Sequence, residues 1–371
     1  MSSRRDFLKS GFFGIGGLGL LAGLTSCSTF DDLIFDDRQF SDDQILIIGG
    51  GISGLHLAYK LRQSKTDYKI FEGSSILGGR IRSSEGLDFG ASLFQQSDLV
   101  LVKLLKEFNL PLASTSSTHF YLPGGAERLI DTLKNRVGGL MPYRNVRLKW
   151  RMIEIRKYSR GYEIVFSTPE GFRTIRANKV ALTLPPSQWS RVNGLLNMPE
   201  MAWAPEWLKT LQPESILKMH YTLPALTTAS LNKKSKVYFD DDKDSINVLA
   251  KNLKNNLTGL EFEIALRQKM NLQTLQIESD PAMDAEKLIS LINEKTKLGL
   301  SAKKLTADSF YNWSNVDLIQ SAYFKNSVPF PESVKKEHPF FQVFGDFSAS
   351  SKTHTVEGSL QEAERVFSNY V

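Results

Sequence analysis

The chain has one cysteine in 371 residues, Cys27, so an internal disulfide is excluded. It has five histidines, and no Cys-x-x-Cys or His-x-x-x-His spacing, so no metal site is expected. The uncharged apolar stretch near the start, residues 11–23, falls short of the ~20 residues that a membrane-spanning helix needs. The net charge of +6 is carried without a long basic run, so nothing points to nucleic acid as a partner. No internal repeat or low-complexity segment follows residue 43. What remains is ordinary globular composition, 41% hydrophobic and 23% charged, in a chain long enough for two domains or one elaborated domain.

The first 43 residues read as an address. Ser3-Arg4-Arg5-Asp6-Phe7-Leu8-Lys9 resembles a twin-arginine export signal, and Leu24-Thr25-Ser26-Cys27 resembles a bacterial lipobox. The only cysteine stands where such a box requires the acylated residue. The expectation is a signal peptide over 1–26, lipidation at Cys27, and a membrane-anchored lipoprotein in the periplasm or on the cell surface. Ser28 is not the aspartate often used for inner-membrane retention. Residues 27–43, with six aspartates and one arginine, read as an acidic tether. The resemblance to a twin-arginine signal implies export in the folded state, which suits a protein that closes around a cofactor.

The apolar run Gln44-Ile45-Leu46-Ile47-Ile48 predicts a strand buried on both faces, leading directly into Gly49-Gly50-Gly51-Ile52-Ser53-Gly54. Gly49, Gly51 and Gly54 fit the Gly-x-Gly-x-x-Gly spacing of a dinucleotide turn, with Ser53 in the same turn. The first glycine makes the turn, the second admits a pyrophosphate, and the third lets helix pack on strand. A helix pattern follows over Leu55–Leu61, and Tyr68-Lys69-Ile70-Phe71 predicts a second strand ending at Glu72. The resulting βαβ unit places a carboxylate where ribose hydroxyls bind, and a carboxylate repels a 2′-phosphate, which disfavours NADP.

Beyond Glu72, the run Gly78-Gly79-Arg80 makes the resemblance specific: the chain is similar to the flavin-containing amine oxidase superfamily. That group spans monoamine and polyamine oxidases, protoporphyrinogen oxidase, phytoene desaturases and renalase-like proteins. The resemblance implies non-covalent FAD, with Gly79 and Arg80 near the pyrophosphate and Ser92, in Asp88-Phe89-Gly90-Ala91-Ser92, beside the flavin. It implies that the Val146 backbone contacts adenine, and that Gly345, Asp346 and Val356 form the closing flavin motif ahead of a helix over about 356–367. Lys218, in Ile216-Leu217-Lys218-Met219-His220, resembles the family lysine that holds a water at flavin N5. It is the candidate catalytic residue, against the alternative of a lysine on a solvated strand face. Tyr311-Asn312-Trp313 and Tyr323 resemble the aromatic segment near a substrate chamber.

The chain also departs from the family. Ser359 and Gln361-Glu362 replace the small residues usual in the closing motif, which is expected to loosen or reshape it. Residues 348–354 contain no aromatic residue of the kind that cages an amine. Covalent flavin through cysteine is excluded, because Cys27 is the sole cysteine.

The expected fold is α/β: an FAD-binding Rossmann-type domain from residues 44–92, 120–190 and 335–371, and a discontinuous substrate domain of mixed or antiparallel sheet plus helices from 93–119 and 195–334. The expected function is FAD-dependent oxidation of a C–N or C–C bond in a small-molecule substrate, with oxygen or a membrane electron acceptor taking the electrons. The alternatives are a non-catalytic flavin- or nucleotide-binding lipoprotein acting as a partner protein, and an NAD-linked reductase.

The lipobox gives the first prediction. In a bacterium with lipoprotein processing, the protein should partition to membranes with an acylated Cys27 at its mature N-terminus, and Cys27→Ala should stay unacylated. Intact-mass analysis showing a bare Cys27 in the mature wild type would rule the anchor out.

Overall fold

The structure, a computed structural model, describes residues 44–138, 145–158, 161–224, 236–238, 245–266, 286, 289–290, 292–294, 297–305, 309–313, 323–324 and 328–371. The signal peptide, Cys27 and the acidic tether lie outside the described residues. No helix among the described residues is long and apolar enough to cross a membrane.

Five parallel strands form the first sheet, in the order Phe341–Val343, Lys179–Leu182, Ile45–Ile48, Tyr68–Glu72, Val146–Leu148. Ile45–Ile48 lies at the centre and is buried throughout, which is why all four residues are aliphatic. The helix Ile52–Gln63 returns the chain from the central strand to its neighbour. The helix Val356–Tyr370 packs against it, and Leu360, Ala363 and Val366 share one core with Ile45, Leu55 and Ala58. Tyr370 closes the arrangement, its hydroxyl donating to the Val180 carbonyl at 2.8 Å. A three-stranded hairpin sheet, Arg151–Tyr158, Gly161–Thr168 and Gly171–Ala177, is joined to this core through Phe71, which stacks on Phe166 at 4.6 Å and packs on Trp150.

The largest sheet is antiparallel: Lys236–Tyr238, Ser245–Leu253, Leu257–Leu266, Pro213–Pro224 and Phe310–Asn312, in that spatial order. Strand alternation divides its side chains between two environments. Leu217, Met219, Tyr221, Ala250, Leu260 and Phe262 share an apolar core with Ile289, Ile292 and Leu300. The opposite face carries Ile216, Lys218, His220, Lys251, Glu261 and Glu263, and it is covered by the segment around Asp88–Phe89.

The placement of residues 93–119 differs from the expectation of a substrate-domain segment. The helix Leu99–Glu107 sends Leu101, Leu104 and Leu105 into the same core as the parallel sheet. Its first turn is held from far along the chain. Asp98, at the N-cap, is taken up by the Gln95 amide and the Lys352 ammonium. The buried Glu357 instead accepts from the amides of Val100 at 3.1 Å and Leu101 at 2.9 Å. A carboxylate there also opposes the positive end of the helix dipole.

Glu357→Ala leaves one buried and one half-buried donor without this acceptor, a loss of about 1–3 kcal/mol. The urea midpoint should fall with the slope of the transition unchanged. An unshifted midpoint would show that the helix start is secured by something else.

Candidate functional site

The junction of the parallel sheet and the helix Ile52–Gln63 dictates the first part of the site. Gly49 leaves the central strand with φ +109°, and a Cβ there would lie 2.3 Å from the Thr183 hydroxyl. Gly54 lies so close to the strand that its Cβ would meet the Gly49 carbonyl oxygen at 2.1 Å. Gly51 differs from both. Its ideal Cβ has Gly79 Cα as nearest neighbour, at 4.0 Å, and Gly79 itself has φ +57°. The two backbones thus pass in close contact, a Cβ on Gly79 lying 3.2 Å from Gly51 Cα, and both glycines edge open space beside the first-turn amides of Ile52 and Ser53. No preceding helical carbonyl can satisfy those amides. That is a cradle for an anionic group, and a side chain on Gly51 would fill it.

The open space belongs to a cavity of about 1190 Å³. It is larger than the roughly 300–1,000 Å³ usual for a small-molecule pocket. Of the residues singled out in the sequence, Gly49, Gly51, Ser53, Glu72, Gly79, Arg80, Ser92, Lys218, Gly345, Asp346 and Val356 all line it. Two do not. Gly54 packs helix on strand, as its spacing implies. Val146 pairs in register with Ile70 and turns its side chain into the core, whereas the adenine contact expected of it is one of its backbone. Trp150, Arg151 and Met152 line that end of the cavity instead.

Glu72 accepts at 2.7 Å from the Gly50 amide with one carboxylate oxygen and at 2.7 Å from the Ser74 amide with the other. Both bonds hold it at the end of its strand, and each oxygen keeps acceptor capacity for a ligand hydroxyl. Arg80 reaches across to Asp346, Nη2 to Oδ1 at 2.6 Å, linking the glycine segment to the closing loop. The His354 amide donates to the Asp346 carbonyl at 3.0 Å, and Thr355 caps the last helix by accepting from the Gly358 amide at 3.0 Å. Glu362, one of the departures in the closing motif, tightens this loop rather than loosening it. It accepts from the Ser348 hydroxyl at 2.8 Å and from Arg365 Nε at 3.0 Å. Phe347, on the cavity wall, is backed by Trp189, Trp207 and Phe330.

The third wall is the charged face of the large sheet. Lys218 is 2% exposed, and its ammonium lies 2.6 Å from Glu263. It stands on the covered face with Ile216 and His220, not on a solvated one. Deeper in, Lys251 pairs with Asp88 and, at 2.6 Å, with Glu261. Glu261 also accepts from the Asp88 amide, while Asp88 accepts from the Ala126 amide at 2.7 Å. Burial raises the Glu261 carboxyl to about 7, and the Lys251 ammonium offsets that rise only in part. Burial pulls His220 down to about 4, so the imidazole is neutral. Its Nε2 lies 2.9 Å from the Asp88 carbonyl, and its ring stacks on Phe89. Tyr311 and Trp313, expected near a chamber, are not on the cavity wall. Tyr311 packs on Phe89, and Trp313 donates from its indole to the Phe89 carbonyl at 2.6 Å. The side chain of Tyr323 lies outside the described residues. No group of three or more His, Cys, Asp or Glu among the described residues is placed to hold a metal.

Asp88, Lys251, Glu261 and Glu263 are the residues that sequence reasoning missed. Their signal was present, as Leu260-Glu261-Phe262-Glu263 alternates strictly, but such alternation ordinarily marks a face turned to water.

Comparison with known proteins agrees with this geometry. Residues 47–108 match the NAD(P)-binding Rossmann-like domain family. Aplysianin-A of Aplysia kurodai is 39% identical over 71 residues, 17% of this chain and 12% of its own length. Mitochondrial protoporphyrinogen oxidase of Nicotiana tabacum is 36% identical over 67 residues, 17% of this chain and 13% of its own. The chain thus spans no more than 13% of either relative. The whole architecture is similar to that of wild-type putrescine oxidase bound to putrescine, with a TM-score of 0.65 and 12% identity over 88% of this chain and 98% of that one. Cyclohexylamine oxidase from Brevibacterium oxydans gives 0.68 and 11%, over 89% and 99%. The α/β fold, a parallel Rossmann-like sheet joined to antiparallel sheets, is therefore shared with these oxidases.

The glycines separate two kinds of failure. Gly54→Val should unfold or strongly destabilise the protein, because its Cβ meets backbone. Gly51→Ala should keep a near wild-type melting temperature in ligand-free protein, because its Cβ meets nothing nearer than Gly79 Cα at 4.0 Å. Equal destabilisation by the two would mean that the space at Gly51 is closed.

Proposed function

We propose that the chain is an FAD-dependent oxidoreductase of the flavin amine oxidase type, exported and held at a membrane by a lipid on Cys27. It oxidises a C–N or C–C bond of a small molecule and passes the electrons to oxygen or to a membrane acceptor. The observation that carries this reading is the continuity of one cavity, from the amides at the start of the helix Ile52–Gln63 to the charged face around Lys218. A nucleotide site alone would need only the first half.

The residues present fit a flavin dinucleotide. The cavity edged by Gly51 and Gly79 would take the pyrophosphate against the helix amides, with Arg80 supplying a permanent positive charge. Glu72 would take ribose hydroxyls. The start of the helix Val356–Tyr370, positive by its dipole, would face the pyrimidine edge of the isoalloxazine, where negative charge gathers on reduction. Bound FAD supplies the hydride acceptor. Lys218, fixed by Glu263, contributes an ammonium to the same cavity and is proposed to govern reoxidation. The acidic tether 27–43 would space the enzyme from the bilayer.

Purified protein should be yellow, and an anaerobic panel of amines and other small reductants should contain at least one that bleaches it. Protein that stays yellow with every compound would favour a non-catalytic flavin carrier, and bleaching by NADH alone would favour a reductase. Lys218→Met keeps the chain length and removes the charge. It should slow oxygen reoxidation of the photoreduced flavin by about tenfold or more, the effect of losing one aligned electrostatic contact, while flavin content stays near wild type. Equal rates at equal loading would return Lys218 to a structural role.

A further inference from the structure

Five charged side chains meet at the cavity wall and just behind it, and their count is unbalanced. Three carboxylates, Asp88, Glu261 and Glu263, face two ammonium groups, Lys218 and Lys251. His220, which packs against the same segment, is neutral and adds nothing to the balance. An unmatched negative charge in a buried cluster is costly, and a bound proton removes that cost. The three carboxylates are not equally able to take it. Asp88 accepts from the Ala126 amide at 2.7 Å, from the Ser83 hydroxyl and from Lys251, so both of its oxygens are engaged. Glu263 is 37% exposed and paired with Lys218 at 2.6 Å, so water and the ammonium both favour its ionised form. Glu261 uses only Oε1, toward Lys251 and the Asp88 amide, whereas its Oε2 is buried without a hydrogen-bond partner. Glu261 is 2% exposed, yet it belongs to the cavity wall.

We infer that Glu261 is the proton-accepting residue of the cavity in the oxidation proposed above. With FAD bound to accept the hydride from the substrate C–H, the Glu261 carboxylate would take the proton of the adjacent N–H, O–H or C–H, so that a double bond forms between the two substrate atoms. FAD gains two electrons and one proton, Glu261 gains the other proton, and the balance closes. The groups that face Glu261 set its behaviour: Lys251 from the strand Ser245–Leu253, Asp88 from Leu87–Asp88, Lys218 and His220 from Pro213–Pro224, and Glu263 on its own strand. Asp88 and burial favour the protonated form, and the two lysines favour release. The balance leaves the group able to change state near neutral pH, the range in which a general base is most effective.

The inference rests on the oxidation reading, and two measurements keep them separable. The first uses no flavin and no substrate. Infrared difference spectra of the full chain, titrated between pH 5 and pH 9, should show the carbonyl band of a protonated buried carboxylic acid that disappears near pH 7. Glu261→Gln should lack that band, whereas Glu263→Gln should keep it. The second is anaerobic flavin bleaching by the best substrate of the panel. The wild-type rate should rise with pH and level off above about 7, because the base works only when ionised. Glu261→Gln leaves two carboxylates against two ammonium groups, a neutral cluster that should fold and load flavin like wild type. It should bleach about 10²- to 10⁴-fold more slowly and without the pH step. Glu261→Asp should restore the step and part of the rate. A titrating band that survives in Glu261→Gln, or a Glu261→Gln rate within twofold of wild type with its pH step intact, overturns the assignment. A wild type that no substrate bleaches overturns the oxidation and this role with it, and the infrared titration then still decides whether Glu261 holds the proton.

Discussion

The approach of Gly51 to Gly79 is the constraint on which the rest of the site depends. The helix Ile52–Gln63 begins directly after the turn that ends the central strand, and its first amides have no internal partner. They are useful to a ligand only while nothing stands in front of them. One glycine leaves that space empty, a second faces it with φ +57°, and Gly54 draws the helix onto the strand so that the amides are aimed consistently. Arg80 then follows by one residue, and its link to Asp346 at 2.6 Å brings the closing loop over the same space. Segments 266 residues apart in sequence thus meet beside one cavity.

The opposite wall obeys a different economy. Lys218 and Lys251 are buried almost completely, and so are Asp88 and Glu261. Removing one partner of such a buried pair typically costs about 3–5 kcal/mol, while apolar side chains in the same volume would often serve stability as well or better. A cluster of this kind between a sheet and the segment around Asp88–Phe89, on a cavity wall, is therefore better explained by chemistry than by folding. The apolar face of the same sheet supplies the stability: Leu217, Met219, Leu260 and Phe262 pack in an ordinary core.

Local spacing made much of the first wall legible. A strand, three glycines and a terminal carboxylate all fall within residues 44–72, so chain connectivity alone places them together. The start of the last helix was also legible through the resemblance of the closing motif, and Thr355 caps it in the structure. Contacts between distant segments were not. Glu357 caps a helix some 256 residues earlier, and Glu362 looks like a defect in a motif until Ser348 and Arg365 are seen around it. Lys218 was read on the right strand, but its partner Glu263 depends on the register of two antiparallel strands. Val146, in a three-residue strand, turns its side chain to the core, and Trp150, four residues later, lines the cavity.

The central claim, that this cavity holds a dinucleotide flavin along its whole length, is tested most directly by comparing FAD with FMN on flavin-free protein by calorimetry. The adenosine and pyrophosphate half of FAD is the part expected to contact Gly51, Glu72 and Arg80. The account predicts that FAD binds at least about a hundredfold more tightly than FMN, two charged hydrogen bonds' worth of free energy. Equal affinity for the two, or no binding of either, would contradict it.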